Sequence, residues 1–303
     1  MFTRYIYIIA LALILCSCTS VVKKSDKPAV ITTNSMIADI VRNVAGEFVT
    51  VESIMPPGID PHQYKASEGD VVKLAGADLI FHNGLSLEGK LGKVLERTQK
   101  QVLSYPITQY MPRDQFIVDM NTPDPHVWFD PQMWVYAINC VADALVQIDP
   151  ANTLYYRKNE ETYIRELLQL NENSKARLDT VPMNKRILIT SHNAFRYFGR
   201  AYGWEVLGVQ GMNTNSETSV YSIQALADTV MRRGVECVFT ETSVPYRSIE
   251  ALTASVIALG GNLKHCGVLY SDSLGVAGSD IDSYEKIFEY NLDTIINGVL
   301  NEQ

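Results

Sequence analysis

The stretch from Asp149 to Pro182, near the middle of the chain, constrains the fold most, because it reads as one long helix. Asp149 is placed to cap its N-terminus, and Pro150 fits the first turn, where a missing N–H costs nothing. Tyr156, Tyr163, Leu167 and Leu170 recur at helical spacing, with Leu178 and Val181 further on. Lys158, Glu161, Glu166, Asn173 and Lys175 fill the other faces, and Pro182 stops the run. At 1.5 Å per residue such a helix would be on the order of 45 Å long, more than one small domain needs. It is either a long surface helix of a single domain or a rigid strut between two lobes. The strut is favoured because metal-competent residues fall on both sides of it: His62 and His126 before, His192 and Asp272 after.

The 303 residues suffice for two domains of ordinary size, and 47% hydrophobic against 20% charged residues allows real cores to be buried. Before the strut, strand-like runs at 29–33, 49–54, 79–82 and 102–105 alternate with helical patterns at 36–45, 67–75 and 87–100, and Pro131 opens another helix. Residues 106–125 look irregular. After the strut, strands at 186–190, 205–209, 237–240 and 262–269 alternate with helices at 195–202, 223–233, 249–259 and 284–300. Strands separated by helices call for parallel sheets with crossover connections. The expected fold is α/β: two lobes, 28–149 and 183–303, each with a parallel β-sheet flanked by helices and joined by one long α-helix, 150–182.

The N-terminus carries Arg4 and then an apolar run, Tyr5 to Leu15, too short to span a bilayer and suited to a signal-peptide core. It ends in Leu15-Cys16-Ser17-Cys18. Ser17 before Cys18 resembles the bacterial lipoprotein signal; an ordinary cleaved signal with incidental cysteines is the alternative. Residues 1–17 would be removed, Cys18 lipidated, and 18–27 would form a flexible tether. The expected location is therefore extracytoplasmic, anchored to a bacterial membrane at the cell surface or in the periplasm. A net charge of −8 argues against nucleic acid as a partner, since phosphate binding needs a basic face. Cys140, Cys237 and Cys266 remain, an odd number. All three are expected to pack as small buried hydrophobes, a Cys237–Cys266 bridge being possible but not expected.

In open α/β sheets, ligands gather beyond the carboxyl ends of strands. His62 lies in the loop after the second strand, His192 at a strand end, and Asp272 just after the last strand. His126 precedes a helix. Three imidazoles and a carboxylate suit a first-row divalent cation such as zinc or manganese, whereas magnesium and calcium prefer all-oxygen shells. Position alone leaves this open. His82 and His265 are equally eligible, a lone histidine at a strand end is more often structural, and Asp272 in Ser271-Asp272-Ser273 also suits a cap or turn.

Four segments carry a resemblance that decides between these. They are Gly58-Ile59-Asp60-Pro61-His62; Asp124-Pro125-His126-Val127-Trp128-Phe129-Asp130; Ser191-His192-Asn193-Ala194-Phe195-Arg196-Tyr197-Phe198; and Tyr270-Ser271-Asp272-Ser273-Leu274-Gly275. In this order they resemble the ligand motifs of the metal-binding lipoproteins that feed zinc/manganese ABC importers, the TroA-like branch of the TroA/ZnuA/PsaA family. The similarity includes Asn83-Gly84 and Glu241-Thr242-Ser243. It implies two lobes on a single helix and a metal held by His62, His126, His192 and Asp272. His82 and His265 fall outside the motifs and read as structural. The zinc-dedicated branch usually carries a His- and acid-rich loop before the second ligand, and 106–125 has no histidine. The streptococcal manganese branch has Glu where this chain has His192. The choice among Zn²⁺, Mn²⁺ and Fe²⁺ therefore stays open.

The expected function is an extracytoplasmic solute-binding protein that captures Zn²⁺ or Mn²⁺ between its lobes and delivers it, as a lipid-anchored monomer, to an ABC importer permease. Asp60, Asp124 and Glu241 are candidates for fixing the imidazole tautomers. Affinity is expected to fall below about pH 6.5 as imidazoles protonate. A full four-ligand shell leaves no open position for activated water, so no catalysis is expected. The alternatives are a secreted zinc-dependent hydrolase, which lacks any His-Glu-x-x-His segment here, and an iron–siderophore or cobalamin-binding protein. The latter would need a wide aromatic or arginine-lined cleft.

Overall fold

The computed structural model of the chain describes residues 27–215 and 218–300. The signal peptide, Cys18 and most of the tether lie outside the described residues. The first lobe is a parallel sheet ordered β2-β1-β3-β4, with β1 Ala29–Thr32, β2 Thr50–Ser53, β3 Leu79–His82 and β4 Leu103–Pro106. Helices α1 (Ser35–Ala45), α2 (Glu68–Ala75) and α3 (Gly92–Thr98) connect its strands. Alternate strand residues serve opposite faces. Val30, Leu79 and Phe81 join the core beneath α1, while Ile31 and Ile80 pack with Leu74, Leu91 and Leu95 on the other face. Asn34 caps α1 by accepting from Ile37 N at 3.0 Å. Ser67 caps α2 in a reciprocal capping box with Asp70.

The second lobe is again parallel α/β, but its strands form two two-stranded ladders in place of one four-stranded sheet. Parallel ladders β7–β8 (Ile187–His192, Glu205–Gln210) and β9–β10 (Cys237–Glu241, Lys264–Leu269) lie with β7 beside β9. Helices α6 (Arg196–Tyr202), α7 (Val220–Arg233) and α8 (Arg247–Ala258) connect them, and α9 (Tyr284–Leu300) closes the chain. Between the first sheet and α4 (Pro131–Ile148), residues 107–130 form short turns and a small hairpin, β5 (Val118–Asp119) with β6 (Thr122–Pro123).

The connecting helix is α5, Thr153–Leu178, of 26 residues, or about 39 Å. Its ends differ from the expected ones. A short 3₁₀ turn, Pro150–Asn152, precedes it. Asp149 makes no capping bond, because its carboxylate accepts from Asn152 Nδ2 at 2.7 Å and the Tyr156 hydroxyl at 2.5 Å instead. The helix stops at Leu178, ahead of Pro182, and Val181 is buried in the turn between them. Nor does α5 stand free: it packs against α1, α4 and α9. One apolar cluster runs from β1 and α1 through α4 and α5 into α9, β9 and β10. Within it Trp134 stacks on Tyr284 with ring centroids 5.8 Å apart, and Phe129 meets Phe195 at 4.1 Å.

Two further expectations are corrected. The helix anticipated at 87–100 starts only at Gly92, because residues 84–89 form a tight turn with positive φ at Gly84, Leu85, Ser86 and Gly89. Cys237 and Cys266 form a disulfide, their Cα atoms 5.7 Å apart. The pairing register slips between His265 and Gly267, which leaves Cys266 outside the regular ladder. Cys140 is free and buried, as expected.

Candidate metal centre

His192 is the last residue of β7, His62 sits in the loop after β2, His126 precedes α4 and Asp272 follows β10. Each therefore lies beyond a strand's carboxyl end or a helix N-terminus. The fold brings all four together: one donor atom from each lies within 4.8 Å of the others, and none of the residues is more than 1% exposed. His62 Nε2 and His192 Nε2 each lie 3.2 Å from His126 Nε2. A tetrahedral cation with Zn–N bonds of about 2.0–2.1 Å spaces its nitrogens about 3.3 Å apart, so the imidazoles match that edge. Asp272 Oδ1 lies 3.7 Å from His126 Nε2 and 3.8 Å from His192 Nε2, and accepts no hydrogen bond.

Neighbouring carboxylates orient two of the rings. Asp124 Oδ1 lies 2.7 Å from His126 Nδ1 and also accepts from the His126 backbone N–H. Glu241 accepts from the His192 backbone N–H at 2.8 Å. Its other oxygen lies 2.5 Å from His192 Nδ1, close enough for an ion pair although the angle is poor for a hydrogen bond. Carboxylates accept, so in the neutral rings the proton belongs on Nδ1, and each Nε2 lone pair faces the centre. Asp60 plays a different part from the one expected. It accepts from the His62 backbone N–H at 2.9 Å, while the ring's Nδ1 has no hydrogen-bond partner.

Burial and the neighbouring histidine charge push His62 down to about 3. His192 is held up at about 9: burial opposes protonation, but Glu241 and Asp272 outweigh it. Burial also opposes ionisation of Asp272, yet the three imidazoles and Ser243 keep its carboxyl below the ordinary value. His62 and His192 are thus displaced in opposite directions from the ordinary imidazole value. His82 and His265 stay outside the cluster. His82 lies near Glu88, and burial lowers its pKa. His265 contacts the Thr240 hydroxyl at 2.8 Å.

Asp272 is stitched to the first lobe. Trp128 Nε1 donates to Ser271 O at 2.8 Å, Gly58 N to Ser273 Oγ at 2.8 Å, and Leu274 N to Ser35 Oγ at 2.9 Å. A strap from the second lobe, residues 213–215, crosses in return. Thr214 Oγ1 donates to Asp60 Oδ2 at 2.5 Å, and Asn215 Nδ2 to His62 O at 3.2 Å. Beneath His62, Gly89 has φ +41°, and a Cβ there would lie 2.2 Å from His62 O. Sequence reasoning gave no role to Trp128, Thr214, Asn215, Gly89 or the hydroxyls of Ser243 and Ser271. Only contacts across the fold identify them.

The fold and this cluster define the class of two-lobed, single-helix metal-binding proteins. Residues 30–298 match the family profile described as zinc-uptake complex component A, periplasmic. The chain belongs to this family, whose members serve as solute-binding components of zinc and manganese ABC importers and are not enzymes. It is 38% identical over 271 residues to the zinc-binding protein TroA of Treponema pallidum, covering 89% of this chain and 88% of that one. To the manganese-binding lipoprotein MntA of Bacillus subtilis it is 37% identical over 283 residues, with 92% of each chain covered. The solved structure of the periplasmic zinc-binding protein TroA from Treponema pallidum superimposes with a TM-score of 0.88, covering 90% of this chain and 99% of that one at 38% identity.

Proposed function

We propose that this protein captures a bare divalent cation, Zn²⁺ or Mn²⁺, on His62, His126, His192 and Asp272 and delivers it to the permease of an ABC importer. One observation carries the reading. Three buried Nε2 atoms, two of them each 3.2 Å from the third, converge beside a buried carboxylate oxygen without a hydrogen bond. Ring nitrogens and an unpaired carboxylate oxygen buried at one point suit a cation as their common partner. The alternatives are not favoured. A hydrolase is at odds with the family, and a siderophore or cobalamin needs an open cleft where these groups are buried.

No helix among the described residues is long and apolar enough to cross a membrane. We assign membrane attachment to lipid on Cys18, after removal of 1–17. The two lobes, 28–149 and 183–303, act on either side of the connecting segment 150–182, and the carrier works as a monomer. Elemental analysis of the purified protein combined with calorimetric titration tests the site. Wild type is expected to carry one Zn²⁺ or Mn²⁺ per chain, and His126→Ala to lose more than the 10–100-fold in affinity typical of changes beyond the ligands themselves. An organic chelate in the preparation, or unchanged affinity in His126→Ala, would overturn the assignment. Cys18→Ser is expected to move the protein from the membrane fraction to the soluble one.

A further inference from the structure

Resting on the reading that Cys18 carries lipid, we propose that the outer flank of the first lobe docks on anionic phospholipid headgroups through Lys90, Lys93, Arg97 and Lys100, in and around α3. Leu91 and Leu95 bury one side of this segment against the first sheet. At 3.6 residues per turn, positions 90, 93, 97 and 100 fall together on the opposite side. All four side chains are exposed, and within residues 90–100 only Glu96 opposes them. Lys93, Arg97 and Lys100 line one shallow hollow with Glu96 and Gln99. None of the four has an ion-pair partner among the described residues, whereas Arg177, Arg186 and Arg233 are each paired with a carboxylate. On the neighbouring α2, Lys73 is paired with Glu52 and Asp70 is tied into the helix cap.

A chain of net charge −8 is repelled as a whole by an anionic bilayer. Exposed charges more than about 8 Å apart are screened from one another at physiological salt, so a face of opposite sign can still rest on such a surface. The anchor brings this face within reach. Cys18 lies nine positions before Lys27, the first described residue, which holds the lobe's entry point within about 30 Å of the bilayer. The chain enters the sheet at the amino end of β1, and α3 ends just before the amino end of β4. Val30 pairs with Leu79, and Leu79 with Leu103, so these two strand ends lie two strand spacings apart, about 10 Å. From there α3 extends back along the outer face toward the strands' carboxyl ends, where the metal ligands lie. A carrier hung from its amino end alone would aim the cleft away from the bilayer. Seating the flank on headgroups tips the lobe over and holds the cleft near the membrane plane, beside an embedded permease.

Lysine labelling reads the contact directly. The lipidated protein is added to phosphatidylcholine vesicles with or without phosphatidylglycerol and treated briefly with an amine-acetylating reagent, and each lysine is quantified by mass spectrometry. Lys90, Lys93 and Lys100 are expected to react at least about fivefold more slowly on the phosphatidylglycerol vesicles at low salt, the factor that a single cation at an anionic surface contributes. High salt should remove that protection. Lys158 and Lys175 on α5 are exposed controls and should keep one rate throughout. Lys93→Glu combined with Arg97→Glu is expected to abolish protection of Lys90 and Lys100 while leaving Zn²⁺ affinity unchanged, which also verifies that the variant folds. Equal labelling on the two kinds of vesicle, or protection that survives the double variant, would overturn the proposal while membrane attachment stands. A protein that sediments with neither vesicle would instead remove the lipid-anchor reading and this proposal with it.

Discussion

At the scale of single residues, the metal centre competes with protons. His192 is fully buried, yet Glu241 and Asp272 hold it up at about 9, whereas His62 is pushed down to about 3. At neutral pH the incoming cation must therefore displace a proton from His192 but none from His62. Affinity is expected to rise with pH by up to about tenfold per unit until about 9, because only the deprotonated ring binds. Titration with Zn²⁺ at pH 7.5 in buffers of different ionisation enthalpy should report close to one proton released per ion. Glu241→Gln should reduce that number. Zero release from the wild type would contradict the assignment. The identities of these residues are readable in the sequence because each donor sits in a short segment of fixed composition. Their protonation is not readable. It depends on Glu241 meeting His192 from the adjacent part of the sheet, 49 positions along the chain.

At the scale of elements, three helices meet at one buried carboxylate. Asp39 of α1 accepts from the Tyr163 hydroxyl of α5 at 2.7 Å and from the first backbone N–H of α9, Tyr284 N, at 3.4 Å. Burial pushes its pKa up to about 6. A carboxyl raised in the folded state favours folding while it is protonated. That contribution is complete below the unfolded value of 3.8 and is lost as pH rises through about 6. Its size is about 3 kcal/mol for a shift of some two units. Asp39→Asn is expected to flatten the fall in melting temperature between pH 4 and 7 relative to wild type. Superimposable profiles would refute it. Sequence patterning finds α9 and β3 to the residue, because an apolar run is bounded by clear breakers at both ends. It misjudges the start of α5, where a nearby tyrosine hydroxyl draws Asp149 away from the backbone, and the start of α3, where a chain of left-handed residues has no periodicity to betray it. The disulfide joins strands 29 positions apart, a proximity that alternation of apolar and polar residues does not encode.

At the scale of the whole molecule, the connecting helix matters less as a hinge than as part of a shared core. The cluster that joins the first sheet to α9 includes Trp134 on Tyr284 and Phe129 on Phe195. Prising the lobes widely apart would expose several large aromatic faces, each costing about 1.5–3 kcal/mol. Metal exchange is expected to proceed by a small lobe rotation with local movement of the loops holding His62 and Asp272. Solution scattering should show nearly the same radius of gyration with and without Zn²⁺, and a large contraction on loading would exclude this. The two-lobe plan was readable from the alternation of strands and helices on either side of α5. The continuity of the core across the lobes was not, since it joins residues from opposite ends of the chain.

That aromatic seam has a consequence for traffic at the membrane. A receptor surface would meet almost the same silhouette whether or not cargo is aboard. Any difference between a full and a spent carrier is then expected to be confined to local features such as the rim around Asp60 and Thr214, where residues 213–215 of one half rest on the imidazole-bearing loop of the other.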